Sequence, residues 1–360
     1  MRTIDPMIKT LSLVMALTTA LGCAKKKNDT EALDPGTASG SSSNTTAPKV
    51  VDTTKPTTAD TKPTDAKPDA KLVERGAYIA KAGACVVCHT AIGPTGPDMA
   101  NAYAGGLEMP DPAGTWRTPN ITQDKGTGIG GWTDEQIARA IREGVRPDGA
   151  QLFPIMPYMH YNRLTDDDTK ALVAYLRTIP AVAKTTAPNK DLKMPKVPAP
   201  KPANAPDTVD DPLKHGEYMA TLMLCGHCHW TPDKNLGMSP DKMFSGGLPL
   251  ELPMLGTGTI YTRNITSDPE TGIGKWTEDQ IFTTIKTMTK PDGKQIQGPM
   301  LFMQATWSQL DDKDLHAVAA YIKKLPPVKN KVPDSTFKPL GGPPPAAGSG
   351  SGSGAAPAKP

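Results

Sequence analysis

Cys85-Val86-Val87-Cys88-His89 places two thiols three positions apart with a histidine directly after the second. Cys225-Gly226-His227-Cys228-His229 repeats the arrangement. In this pattern each thiol can add to one vinyl group of a porphyrin and form a thioether. The histidine then lies beneath the iron as its proximal axial ligand. The competing readings are a disulfide and half of a zinc site. Zinc would need a second ligand pair, which neither stretch supplies. The two motifs therefore predict two covalently attached haem c groups, one on Cys85, Cys88 and His89 and one on Cys225, Cys228 and His229.

A six-coordinate electron-transfer haem needs a second axial ligand. Methionine sulfur raises the reduction potential because a soft ligand favours ferrous iron. The ligand must come from a loop well after the motif, and the candidates are Met156 or Met159 in the first stretch and Met300 or Met303 in the second. Pro147-Asp148-Gly149 and Pro291-Asp292-Gly293 give a common anchor. Met156 and Met300 each lie seven residues beyond it, which selects that pair, with Met303 as the alternative to Met300. The flanking prolines of Pro154-Ile155-Met156-Pro157 would stiffen the loop. An enzyme haem would instead need an open site with acid–base groups above it. His160 is the one histidine near Met156 that could serve there, or it is a surface-loop residue. His215 and His316 are expected on helix surfaces.

These ligands lie in two blocks, 72–182 and 213–328, that repeat one another. Gly105-Gly106-Leu107 matches Gly246-Gly247-Leu248. Asn120-Ile121-Thr122 matches Asn264-Ile265-Thr266, and Trp132 matches Trp276. Two copies of one domain is the economical reading. Helices are expected at 72–84 and 213–224, leading into the motifs, and at 133–143 and 277–288 behind N-capping threonines. A last helix opens at Thr165, with Asp168 three residues on as in a capping box. Its apolar stripe Leu172, Tyr175, Leu176 and Ile179 recurs as Leu315, Val318, Ile322 and Leu325. The loops between show no convincing strand pairs, so the fold class is all-α, two tandem haem domains joined by a Pro/Lys-rich linker.

Composition places the rest. The chain has 360 residues, 38 of them proline, and five cysteines, of which only Cys23 lies outside the motifs. Residues 1–23 read as an export signal whose apolar run is too short to span a bilayer. Leu21-Gly22-Cys23 resembles a bacterial lipobox, which would put lipid on Cys23; the alternative is an ordinary signal peptide cleaved nearby. Residues 24–71 are too polar to fold and read as a disordered tether. Residues 183–212 read as the linker and 329–360 as a disordered tail. Basic residues number ten against twelve acidic in the first block and eleven against twelve in the second, so the segments outside them carry +6 and account for the overall +3. No basic stripe or phosphate-cradling loop points to nucleic acid.

Both blocks resemble the class I cytochrome c domains of membrane-bound alcohol and gluconate dehydrogenase cytochrome subunits. The resemblance rests on the motifs, the Gly-Gly-Leu, and Asn120-Ile121-Thr122 leading to Thr127-Gly128-Ile129-Gly130-Gly131-Trp132-Thr133. Met156-Pro157-Tyr158 before Leu164-Thr165-Asp166 adds to it. It implies a haem-wrapping fold and electron transfer. It also implies that Asn120 and Asn264 donate hydrogen bonds to haem propionates, with Arg117 and Arg263 adding charge. The expected function is a dihaem electron carrier without catalytic residues of its own, lipid-anchored to a membrane and facing the periplasm of a bacterial cell envelope. It would pass single electrons from a periplasmic or membrane dehydrogenase to a respiratory acceptor. The alternative is a dihaem enzyme of peroxidase or thiosulfate-oxidising type with one open haem.

Overall fold

The computed structural model describes residues 69–93, 96–111, 114–189, 193, 199–203, 210–233 and 240–340. The leader, most of the tether and Cys23 lie outside these residues. Each half opens with a helix that an aspartate starts. Asp69 caps α1 (Ala70–Ala82) by accepting from the amides of Lys71 and Leu72. Asp211 caps α6 (Pro212–Leu222) the same way, with proline at the first helical turn, where its missing N–H costs nothing. A residue at positive φ, Ala84 or Leu224, then turns the chain into the single helical turn that carries each motif, α2 (Cys85–Cys88) and α7 (Cys225–Cys228).

Each opening helix crosses the last helix of its half. α5 (Asp166–Leu176) lies on α1 and α11 (Asp312–Lys324) lies on α6. The crossings are tight because glycine sits at the contact. A Cβ on Gly76 would stand 1.9 Å from the Ala171 carbonyl oxygen, and one on Gly216 would stand 2.1 Å from that of Ala317. In an open helix Gly→Ala gains up to about 1 kcal/mol. Here overpacking wins, so Gly76→Ala is expected to lower stability by roughly 1–3 kcal/mol. Gly126→Ala, whose added Cβ meets nothing closer than 3.6 Å, serves as the control. Thermal unfolding of the two variants checks the sign, and an unchanged or raised midpoint for Gly76→Ala would contradict the crossing.

α3 (Asp134–Glu143) packs on α5, and α8 (Glu278–Thr287) packs on α11. Both start with complete capping boxes, Thr133 with Gln136 and Thr277 with Gln280. The loop after α3 carries the short α4 (Tyr158–Tyr161), and its counterpart after α8 carries α9 (Pro299–Phe302) and α10 (Gln304–Trp307). Ile79, Leu172, Val173 and Leu176 of the first half share one continuous apolar core with Met219, Leu222, Leu315 and Val318 of the second. No helix among the described residues is long and apolar enough to cross a membrane.

Two expectations are corrected. The loops do contain strand pairs. Among the described residues these are four two-stranded antiparallel ladders: β1 (Ile92–Gly93) with β2 (Gly96–Pro97), β3 (Glu108–Asp111) with β4 (Gly114–Arg117), β5 (Pro249–Glu251) with β7 (Thr259–Tyr261), and β6 (Gly256–Thr257) with β8 (Lys338–Pro339). With both strands at an edge, each ladder tolerates proline and needs no alternating apolar run. The chain after each last helix is also held in place. Lys184 donates its amide to Thr127 Oγ1 at 3.1 Å, and Asn189 exchanges hydrogen bonds with both backbone groups of Arg117. Ala203 donates to the Asn162 carbonyl. The linker thus begins as a strap on the first half. Residues 329–340, expected as tail, strap the second half likewise, through Asn330 to Thr271, Thr336 to Thr259 and the pairing of β8. Such polar straps carry no apolar signal in composition.

Candidate functional site: two cysteine–histidine haem sites

The three motif residues fall where one helical turn puts them. Cys85 and Cys88 begin and end α2, His89 follows directly, and its amide closes the turn on the Cys85 carbonyl. All four motif thiols are free of disulfides. The His89 ring is fixed from 30 residues away, where Nδ1 lies 2.9 Å from the Pro119 carbonyl oxygen. A carbonyl only accepts, so Nδ1 carries the proton and Nε2 is left with a lone pair for a metal. His229 is held alike, 2.7 Å from the Arg263 carbonyl. Burial pushes both imidazoles below the ordinary histidine range, and only the hydrogen bond opposes it, so both stay neutral. A neutral imidazole oriented through Nδ1 by a second shell, behind two unpaired thiols one turn apart, is the donor set that haem c requires. The residues fit the group at both motifs.

The orienting residues were not legible as such. Pro119 and Arg263 differ in side chain because only the carbonyl acts. The signal was the residue that follows, the asparagine of the shared Asn-Ile-Thr. Asn120 Oδ1 accepts from the Thr122 amide at 2.9 Å, and Nδ2 donates to Thr127 Oγ1 at 3.0 Å and to the Val182 carbonyl at 2.8 Å. Asn264 repeats this with Thr266, Thr271 and Val328. Each buried asparagine therefore clasps the strap to the loop that presents the orienting carbonyl. Both of its amide hydrogens are engaged there. Arg117 reaches Glu108 and the Pro188 carbonyl, and Arg263 reaches the Pro333 carbonyl and Ser335, so both lie against the straps.

The methionine loops follow the motifs at a distance in sequence and pack against the same apolar cluster as Cys85 and Cys225. Met156 is half-buried against the common apolar cluster, whereas Met159 is 46% exposed. In the second half both Met300 and Met303 pack against the cluster. The bridges Val145↔Gln151 and Thr289↔Gln295 keep the halves in register up to that point. The register then shifts by two residues between those bridges and the pair α4 and α10. The extra turn is α9, which carries Met300 and has no counterpart in the first half.

One of the two histidines expected on helix surfaces is relocated. His215, expected on a helix surface, is 4% exposed and bonds Asp314 at 2.8 Å. His316 remains exposed and stacks on Phe282. His160 belongs to α4, and its ring meets His227 of the second motif edge-on, with centroids 5.1 Å apart. Burial and the neighbouring Arg163 push it down to about 4.

The family model for cytochrome c matches residues 73–180. The cytochrome c subunit of the quinone-dependent alcohol dehydrogenase of Gluconacetobacter polyoxogenes is 35% identical over 296 residues, 75% of this chain and 59% of that protein. The cytochrome subunit of fructose dehydrogenase from Gluconobacter japonicus is also 35% identical, over 74% of this chain and 55% of its own length. This chain thus spans somewhat over half the length of these dehydrogenase subunits. A diheme c-type cytochrome of Cereibacter sphaeroides is 31% identical over 267 residues and is covered over 86% of its length. The repeated motif, the fixed neutral histidines and these relatives agree: the chain belongs to the cytochrome c family.

Proposed function

We propose that this electron-transfer cytochrome carries two haem c groups, one per half, and passes single electrons between a dehydrogenase and a respiratory acceptor while tethered to a membrane by lipid on Cys23. The observation that carries the reading is the duplicated motif whose histidine is locked through Nδ1 by a backbone carbonyl. When bound, each haem supplies a one-electron iron couple. The chain's own residues do the rest. Cys85, Cys88, Cys225 and Cys228 would anchor the groups, and His89 and His229 would ligate the irons. Met156 and Met300, with Met303 as the alternative, would supply the second ligand, and the straps keep the orienting loops closed. Relatives named as subunits of alcohol and fructose dehydrogenases support a dehydrogenase as electron donor. His160, the residue that could have served an open first haem, instead packs on the second motif, which favours a carrier over an enzyme.

The tether is tested by Cys23→Ser. Wild-type protein is expected in the membrane fraction of a maturing bacterial host and the variant in the soluble periplasmic fraction. Wild type already soluble after cell breakage would remove the anchor from the account. The carrier role is tested with carbon monoxide, which should bind the ferrous wild-type protein poorly at neutral pH. Ready binding at one haem would favour the enzyme.

A further inference from the structure

The contact between the halves is built from matched pairs that change sides. Tyr78 of α1 donates its hydroxyl to Asp314 Oδ2 of α11 at 2.5 Å, and Tyr218 of α6 donates to Asp168 Oδ2 of α5 at 2.6 Å. Tyr78 and Tyr218 occupy equivalent positions in the repeat, as do Asp168 and Asp314. Each half therefore reaches into the other with the same side chain. Each hydroxyl also accepts an amide from the half it enters, Tyr78 that of Asp311 at 3.2 Å and Tyr218 that of Thr165 at 3.4 Å. The aspartates are 4% and 9% exposed. A base of their own half holds each one: Arg75 with two hydrogen bonds to Asp168, and His215 with one to Asp314. Asp168 therefore serves the seam and does not reach back to close a capping box on Thr165.

The same seam brings the motifs together. Tyr161 is buried, its hydroxyl bonds the Gly83 carbonyl just before the first motif, and it lies within electrostatic reach of Cys85 and Cys88 and also of Cys228. Trp307, its counterpart in the second half, sends its indole N–H across to the Ala82 carbonyl at 3.0 Å. His160 meets His227 at the same boundary.

We propose that the two crossed tyrosine–aspartate bonds are a positioning device that holds the two haem sites at a fixed short separation across Tyr161, so that an electron passes from one to the other within a single chain. The proposal rests on the dihaem reading above. Tunnelling between centres falls steeply with separation, and a seam that opened would leave exchange to slower, transient encounters between the two tethered halves. Hydrogen bonds from a neutral hydroxyl to a buried carboxylate are among the stronger ones. Each is expected to bias the docked state by roughly tenfold.

The test uses the full chain with both haems attached, reduced by one electron by a light pulse, and follows how the electron equilibrates between the two haems. In wild type the equilibration rate should not depend on protein concentration. In Tyr78→Phe with Tyr218→Phe it should fall at least tenfold, while each haem keeps its low-spin spectrum and its potential, and each single variant should lie between. Altered packing of either haem would move the spectra, and a lowered melting temperature alone would leave the rate intact. If the double variant does not fold, Tyr78→Phe alone decides by the same criterion of a slowed rate. A double variant that keeps the wild-type rate, or a wild-type rate proportional to concentration, would overturn the proposal. Failure of the dihaem reading would show separately, as a wild-type protein without two low-spin haem spectra.

Discussion

Met156→Ala is expected to turn the first haem from a six-coordinate, low-spin centre into one that binds carbon monoxide, with no change at the second. Loss of a soft sulfur removes a preference for ferrous iron. The potential of that haem should fall by on the order of 0.1 V, within the roughly 0.8 V range that axial ligands command. Met156 is chosen by its spacing from Pro147-Asp148-Gly149; it lies half-buried against the core, beside an exposed Met159. Met300→Ala should do the same at the second haem. Carbon monoxide difference spectra and the weak near-infrared sulfur-to-iron band report the outcome. If Met300→Ala leaves the second haem intact and Met303→Ala opens it, the extra turn of α9 has handed ligation to Met303. If neither variant opens it, methionine ligation fails for that half.

Replacing both thiols of the first motif, Cys85→Ala with Cys88→Ala, has the other large effect. The protein should keep one covalent haem, on Cys225 and Cys228, and lose one haem mass. The attached group makes its iron–histidine bond and its apolar contacts only in the folded half, so its loss should lower the unfolding midpoint. The two halves share one core and the tyrosine–aspartate seam, so the loss should also loosen the amides of Asp311 and Thr165, which donate to the tyrosine hydroxyls across it. Hydrogen exchange at those amides measures this. Retention of two haems after both substitutions would show that Cys85 and Cys88 are not the attachment points.

What could be read from the chain follows the range of the interactions. The capping threonines Thr133 and Thr277 announce their helices because their partners, Gln136 and Gln280, are three residues away. The motifs are equally local, since one helical turn sets their spacing. Features that depend on distant residues were not legible. Tyr78 and Asp314 are separated by more than two hundred residues, and nothing in either neighbourhood announces the other. His215 was misplaced on a helix surface for the same reason, because its partner lies on α11. The straps escaped notice because they bind through backbone groups and small polar side chains such as Asn189, Asn330 and Ser335. Composition registers these residues only as linker and tail. The clasp that Asn120 and Asn264 form likewise depends on distant residues, the carbonyls of Val182 and Val328.

The central claim, two covalently bound haems on one chain, is tested most directly by intact mass measurement of wild-type protein from cells able to mature c-type cytochromes, denatured and stripped of non-covalent ligands. The account predicts the mass of the processed polypeptide plus two haems, with haem staining that survives denaturation. A mass with one haem or none would contradict it.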